Sequence, residues 1–408
     1  MLLLAVLLLF KPTNSQTITK ENSAFWDVRS IDTVKYSRDL ARQKTNDPAF
    51  DEIIERHVSK ISETGATHVA IGTPYDPEFI PFLTRWVKAV RARELNVWFR
   101  GNFSGWEGWF GYGSITRDEH IKKTGELILA NGDLFEDGDI FSACPECENG
   151  GPGDPRRTGD KEGHAEFLKE EYKVTNEAFR KIGKNVRSNF ASMNGDVAAI
   201  IMDKEATKTL GGLVVIDHYV ATPEQLSLDV SAFAQRSGGR VVLGEFGAPI
   251  PDIHGNLNEG EQAEWLDSAF YKLLEVDELL GINYWVSFGG STSLWNSDGS
   301  PKEAADVLKK YYNPIVVRGK VVDEIGRNLV GAEVSIGPRK VASQEGGIFS
   351  IPFIEGSDSL RVRARGYKNL VYEPIGKQSV ILVLEKEDEG LFFRVLKRLH
   401  QLRNRLNL

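Results

Sequence analysis

Eight short apolar runs, separated by amphipathic stretches, constrain this chain more than any other feature. They are "AFWDVRSI", "THVAIG", "NVWFRG", "DIFSA", "NVRSNF", "LVVIDHY", "VVLGEFG" and "GINYWVSF". Each is short and often β-branched, as a strand buried on both faces should be. Helical periods lie between them. In "DEIIERHVSKISETG", Ile53, Ile54, His57, Val58 and Ile61 share one face, and Gly65 fits the stop. "IPFLTRWVKAVRAREL" repeats the pattern with Phe82, Leu83, Trp86, Val87 and Val90, and Pro301 opens the last such stretch, "PKEAADVLKKYY". Eight strands alternating with helices between residues 24 and 312 predict an α/β fold, a TIM (β/α)8 barrel. A doubly wound sheet competes, but it usually carries fewer strands and a glycine-rich first turn, which this chain lacks.

After Pro314 the texture changes. Short alternating segments broken by Gly, Asp and Asn run to about residue 386 with no long helix between them, which predicts a small all-β sandwich. The pieces "GKVVDEIGRNLVGAEVSI", "GGIFSI" and "RARGY" resemble the carboxypeptidase regulatory-like domain. The resemblance implies a fold and little about function. The expected organisation is a signal-like apolar segment at 1–17, a barrel catalytic domain at 18–314, a β-sandwich at 315–386 and a basic amphipathic helix at 387–408. In that last piece Arg394, Lys397, Arg398, Arg403 and Arg405 accompany leucines at every third or fourth position. Such a helix, over 391–408, suits contact with an anionic membrane surface, or docking on the sandwich. The opening "MLLLAVLLLF" is too short to span a bilayer and matches the apolar part of a secretory signal, so a secreted or cell-surface location is expected.

The 41% apolar and 26% charged content fits a soluble globular chain, and the net charge of −8 argues against a nucleic-acid partner. The two cysteines, Cys144 and Cys147, stand in a C-x-x-C arrangement. The lack of a second pair argues against a structural Cys-type zinc site. Two small residues beside a strand end are the plain reading, and a local disulfide after export is the next.

In a barrel, chemistry gathers at the C-terminal ends of the strands. Strand 4 runs into "CPECENG" and strand 7 into "VVLGEFGAP". Acids there, Glu146 or Glu148 on one side and Glu245 on the other, would face each other across the mouth. Two carboxyl groups flanking a glycosidic bond are the minimum machinery for its hydrolysis, one protonated and one ionised. Strand 6 ends in Asp217, His218 and Tyr219, strand 8 in Trp285, and strand 3 in Arg100 and Asn102 followed by "FSGWEGWFGY". Trp106 and Trp109 in that glycine-broken loop suggest a platform for sugar rings. Asn102 also opens an "NFS" glycosylation sequon, but its place at the mouth argues against that use.

These strand-end acids make the chain resemble clan A of the glycoside hydrolases between about residues 24 and 312. The resemblance implies a retaining enzyme for a poly- or oligosaccharide with β linkages and no metal or organic cofactor. Glu146 matches the acid/base and Glu245 the nucleophile. Glu148 lies two residues beyond the expected strand end and is the weaker candidate. His218 and Tyr219 match the pair that positions the nucleophile, with Asp217 turned into the barrel wall, and Trp285 matches the aromatic floor. Arg100 would pair with Glu245, although the clan places its arginine more often on strand 2. Pro145 stands where the clan has an asparagine that binds the sugar 2-hydroxyl; Asn149 and Asn102 are the substitutes within reach. Two rival readings stay open: a catalytically inactive glycan-binding barrel, and a metal-dependent hydrolase using Asp32, His68 and His218.

Overall fold

The computed structural model describes residues 24–354, 359–374 and 378–387. The expected signal-like segment and the basic amphipathic helix lie outside the described residues. Eight parallel strands form one sheet: β1 (Val28–Asp32), β2 (His68–Ile71), β3 (Asn96–Phe99), β4 (Ile140–Phe141), β5 (Ser192–Asn194), β6 (Leu213–Asp217), β7 (Arg240–Phe246) and β8 (Leu279–Tyr284). Their order is β4-β3-β2-β1-β8-β7-β6-β5. The two edges are joined by a bridge between Ile140 and Arg187, with the Phe141 N–H donating to the Arg187 carbonyl at 3.0 Å. The fifth apolar run, "NVRSNF", therefore supplies only a bridging point, and the regular strand begins two residues after it.

Helices wrap the sheet: α1 (Val34–Ser37), α2 (Asp51–Ser62), α3 (Ile80–Arg91), α4 (Arg117–Ala130), α5 (Lys161–Lys181), α6 (Pro223–Ser237), α7 (Glu259–Leu273) and α8 (Glu303–Tyr312), with two short turns of helix at Gly195–Ile201 and Lys204–Thr209 crossing from β5 to β6. The predicted face of α2 is the buried one: Ile54, His57, Val58 and Ile61. Thr116 and Asn258 close capping boxes with Glu119 and Glu261, so the free N–H groups that open α4 and α7 find partners.

Beyond α8 come two small sheets. Strands β10 (Glu333–Ile336), β11 (Arg339–Ala342), β13 (Leu360–Arg363) and β14 (Leu370–Tyr372) make one; β9 (Ile315–Asp323), β12 (Ile348–Phe353) and β15 (Gln378–Leu384) make the other. Alternating residues such as Val317, Val334, Phe349, Ile351, Val362 and Leu382 enclose a separate core. The small sheets sit under the N-terminal ends of the barrel strands. Arg339 donates to the carbonyl of Phe25, just before β1, and stacks on that ring, while Asp277, just before β8, lies 3.9 Å away. Ile354 is buried among the barrel's own apolar residues.

Candidate active site

Side chains on a strand point alternately to its two faces. The inward set, Val28, Ala70, Trp98, Ile140, Phe190, Leu213, Val215, Val242 and Leu280, forms a closed apolar plug inside the barrel. Further along the same faces, toward the C-terminal ends, apolar residues give way to buried Asp32, Arg100, Asp217 and Asn283. The plug thus carries a layer of charge on its upper side.

Arg100 organises that layer. Its Nη2 donates to Asp217 Oδ2 at 3.0 Å and to Glu245 Oε1 at 3.1 Å, and Nη1 donates to the Gly244 carbonyl. Asp32 Oδ2 lies 3.9 Å from Nε. Burial opposes the guanidinium charge, but Asp217, Glu245 and Asp32 outweigh it and hold the group firmly protonated. Asp217 is pushed the other way, its carboxyl pKa raised by burial and by neighbouring acids against the pull of Arg100.

Glu245 reaches this layer through an irregularity. Strict alternation from Val242 through Gly244 would send it outward. The β6–β7 register shifts at this point, pairing Ile216 with Leu243 but Asp217 with Glu245, so Gly244 and Glu245 both face the barrel axis. Gly244 is required here: a Cβ on it would stand 2.3 Å from Asp217 Oδ1. The Glu245 side chain is 17% exposed. Tyr219 donates its hydroxyl to Oε2 at 2.9 Å. Burial pushes the carboxyl pKa up to about 7, while Arg100 and Tyr219 pull it down.

Glu146 arrives differently. The two residues of β4 run into a turn in which Glu146 takes φ 49°, left-handed, and Cys144 is joined to Cys147 by a disulfide. The predicted runner-up for the cysteine pair is therefore the observed one. The Glu146 N–H donates to the Ser192 carbonyl at 2.9 Å, tying the turn to β5. Its carboxyl group is half-buried and has no hydrogen-bond partner among the described residues. Burial raises its pKa, Arg100 opposes this, and Glu148 and Glu107 add to it. Oxygens of Glu146, Asp217 and Glu245 all lie within 4.8 Å of one another. Glu148 is turned aside: it is 1% exposed, and its Oε1 accepts the Asn194 N–H at 2.6 Å and the Asn194 amide at 3.0 Å.

The other predicted site residues divide. Tyr219 and Arg100 touch Glu245, as described. Trp285 is half-buried at the end of β8, its ring edge-on to Tyr219 with centroids 6.2 Å apart. Trp109 is also half-buried, under the Arg38 guanidinium. Asn149 is exposed in the turn after Glu146. Three residues are corrected. His218 points outward, as alternation demands, with Nε2 2.8 Å from Asp229 on α6. Trp106 is 3% exposed, stacks on Phe167 and donates to the Cys147 carbonyl, so it braces the disulfide turn instead of offering a face. Asn102 is fully buried and its amide is occupied: Oδ1 accepts the Phe103 N–H and lies 2.8 Å from His120 Nε2, while Nδ2 donates to Glu107 at 2.5 Å.

Sequence reasoning missed four contributors. Asp217 was expected in the wall, yet it shares an inward face with Tyr219. Asn283, inward on β8, donates to the Gly244 carbonyl at 2.9 Å and to Asp32 at 3.3 Å. Asn194 holds Glu148. Glu107, in the loop after β3, is pushed up to about 7 by burial. Parity along β6 pointed to the first; Asn283 lies beyond a register shift in β8, where Val241 pairs with Leu279 but Val242 with Gly281, and nothing in the sequence marked the others. The metal-ligand set Asp32, His68 and His218 does not assemble. His68 opens β2 and bonds to the Gly138 carbonyl, whereas Asp32 closes β1 and His218 faces α6.

No family model and no curated protein matches the chain. Its fold has relatives among solved structures. GH5_18 from Bifidobacterium longum subsp. longum aligns with a TM-score of 0.51 at 17% identity, over 74% of this chain and 85% of that one. A single-residue variant of that protein, in complex with Manb1-4GlcNAc, gives 0.51 at 15% identity over 74% and 84%. GH5_18 from Streptomyces cattleya in complex with GlcNAc gives 0.53 at 14% identity over 74% and 85%. At such identities the likeness is one of fold.

Proposed function

We propose that this chain is a retaining glycoside hydrolase acting on β-linked oligo- or polysaccharides, with its catalytic residues in the barrel of residues 18–314. The observation that carries the proposal is the pair Glu146 and Glu245, from opposite sides of the mouth, with carboxylate oxygens no more than 4.8 Å apart. Carboxyl groups about 5–5.5 Å apart go with retention and about 6.5–9.5 Å with inversion, where a water must fit between them.

The two acids are supported unequally, and this assigns their roles. Of the two, the one whose charge is less well supported holds its proton to higher pH. Glu245 has Arg100 and Tyr219 bonded to it; Glu146 has no donor among the described residues. Glu146 therefore carries the proton and gives it to the leaving oxygen. Glu245 attacks the anomeric carbon as the bond to that oxygen breaks. The ionised Glu146 then takes a proton from water, whose oxygen displaces Glu245 and frees the sugar. Trp285 offers the ring face on which the sugar rests. The relatives in fold support a saccharide substrate, two of them having been solved with Manb1-4GlcNAc or GlcNAc. The disulfide supports the secreted or surface location. No helix among the described residues is long and apolar enough to cross a membrane.

The test is stereochemical. Hydrolysis of an aryl β-glycoside followed by NMR gives the β-anomer first, and a 2-fluoro glycoside leaves a mass adduct on the peptide containing Glu245. First formation of the α-anomer would overturn the double-displacement reading. A second reading is favoured by Pro145 in the place of the expected asparagine and by Asn102 being bonded internally: a barrel that holds glycans without cutting them. Glycan binding with no turnover across a broad substrate panel would select it.

A further inference from the structure

The mouth carries cations that the two-glutamate chemistry does not use. Helix α1, directly after β1, carries Lys35, and Arg38 caps its C-terminal end one turn further on. The Lys35 ammonium lies 5.4 Å from the centre of the Trp285 ring. The Arg38 guanidinium lies 4.9 Å from the centre of the Trp109 ring. The two half-buried tryptophans of the mouth, one from the end of β8 and one from the loop after β3, are thus each accompanied by a positive charge. Trp285 in turn packs against Tyr219, which holds Glu245, so the Lys35 charge stands close to the reacting centre.

One acid serves both cations. Arg38 donates from Nε to Asp39 Oδ1 at 2.9 Å and reaches it with Nη2 at the same distance; Lys35 stands 3.6 Å from Asp39 Oδ2. This trio keeps a net positive charge. All three side chains are about a third exposed, so water and substrate reach them. Arg38 also faces inward electrostatically: its charge pulls down the carboxyl groups of Asp32, Glu107 and Glu146. A cation over an aromatic ring is held only weakly at an exposed site. An anion that arrives with a sugar ring can add to that contact without breaking it.

We infer that the mouth selects an acidic sugar, with Lys35 of α1 and Arg38 at its C-terminal end holding a carboxylate or sulfate on a residue that rests at Trp285 or Trp109. The inference rests on the saccharide reading above and narrows it to a substrate class. Asp39 engages Nε and Nη2 of Arg38, so an incoming anion meets the Lys35 ammonium and the free edge of the guanidinium, where the trio's excess positive charge lies. The remaining N–H groups of the guanidinium fork suit the two oxygens of a carboxylate or two of a sulfate.

The experiment compares β-linked oligosaccharides of one length in three forms: uronic acid, the same chain carboxyl-reduced to its neutral sugar, and the neutral chain sulfated. Binding is measured by calorimetry on the full chain carrying Glu245→Gln, so the answer does not depend on turnover. The expected result is at least about tenfold tighter binding of one acidic form over the neutral one, weakening with added salt. The Lys35→Ala/Arg38→Ala double variant should bring that ratio close to one. Which acidic form binds more tightly distinguishes carboxylate from sulfate. Equal binding of acidic and neutral chains, or a ratio the double variant leaves unchanged, overturns the inference. The hydrolase reading fails separately, if the wild type binds these chains but cuts none of the panel.

Discussion

The ends of β4 and β7 deliver chemically identical side chains in opposite ways. At β7 the strand is long, and a register shift at Gly244 brings Glu245 into contact with Arg100 and Tyr219. At β4 the strand is two residues long, and a left-handed turn closed by a disulfide carries Glu146, whose carboxyl has no hydrogen-bond donor among the described residues. The lesson is about charge. Under the proposed mechanism, the acid assigned to stay ionised is the one bonded by donors, and the acid assigned to keep its proton is the one without them among the described residues. Position in the fold is shared; the local hydrogen bonds separate the two proposed roles.

The sharpest way to break this comparison is to remove the proposed nucleophile. Glu245→Gln should lower kcat on the order of 10⁴-fold or more, measured on any substrate the wild type turns over. Substantial residual activity would end the pairing. Next comes the acid. Glu146→Gln should lower kcat/KM by roughly 10²–10⁴-fold on a poor leaving group, and by far less on a nitrophenyl glycoside, which departs without a proton. Glu148→Ala should instead act on folding, because it strips acceptors from the Asn194 N–H; about 1–3 kcal/mol is expected from denaturant melts. If Glu148→Ala showed the leaving-group dependence, the two glutamates would have to exchange roles.

A smaller effect sharpens the β7 side. Tyr219 donates to the ionised form of Glu245, so it lowers that carboxyl's pKa. Tyr219→Phe removes the donor and the pKa rises. The acid limb of kcat/KM, which follows ionisation of Glu245, should move to higher pH, with about a tenfold loss at neutral pH. A limb that stays in place or moves down contradicts the donor role. The smallest effect is expected at His218→Ala. Its ring is bonded to Asp229, away from the mouth, so kcat/KM should change by about twofold or less while stability drops by about 1 kcal/mol.

Much of this was legible before any coordinates. Eight buried runs with amphipathic spacers give a barrel because parallel strands need helical crossovers and cover on both faces. Glu245 stood out as a lone acid ending an apolar run. What stayed hidden depended on local geometry. Strict parity along "VVLGEFG" would have put Glu245 outside, and no sequence signal announces the shift at Gly244. Parity along "LVVIDHY", followed from Val215, does place Asp217 and Tyr219 inside and His218 outside; matching His218 to a family pattern overrode it. Asn102 and Trp106 show another limit. Their residue types suit sugar binding, but whether an amide or an indole is free depends on neighbours distant in the chain. For Asn102 that neighbour is His120, and for Trp106 it is Phe167.

One feature of the architecture bears on where the proposed hydrolase would work. Arg339 and Ile354 fasten the small sheets beneath the barrel, at the end opposite the two glutamates. An object gripped by those sheets lies behind the molecule, and the opening looks the other way. A carrier of this kind would present its cleft outward to passing chains, leaving the ground it stands on uncut.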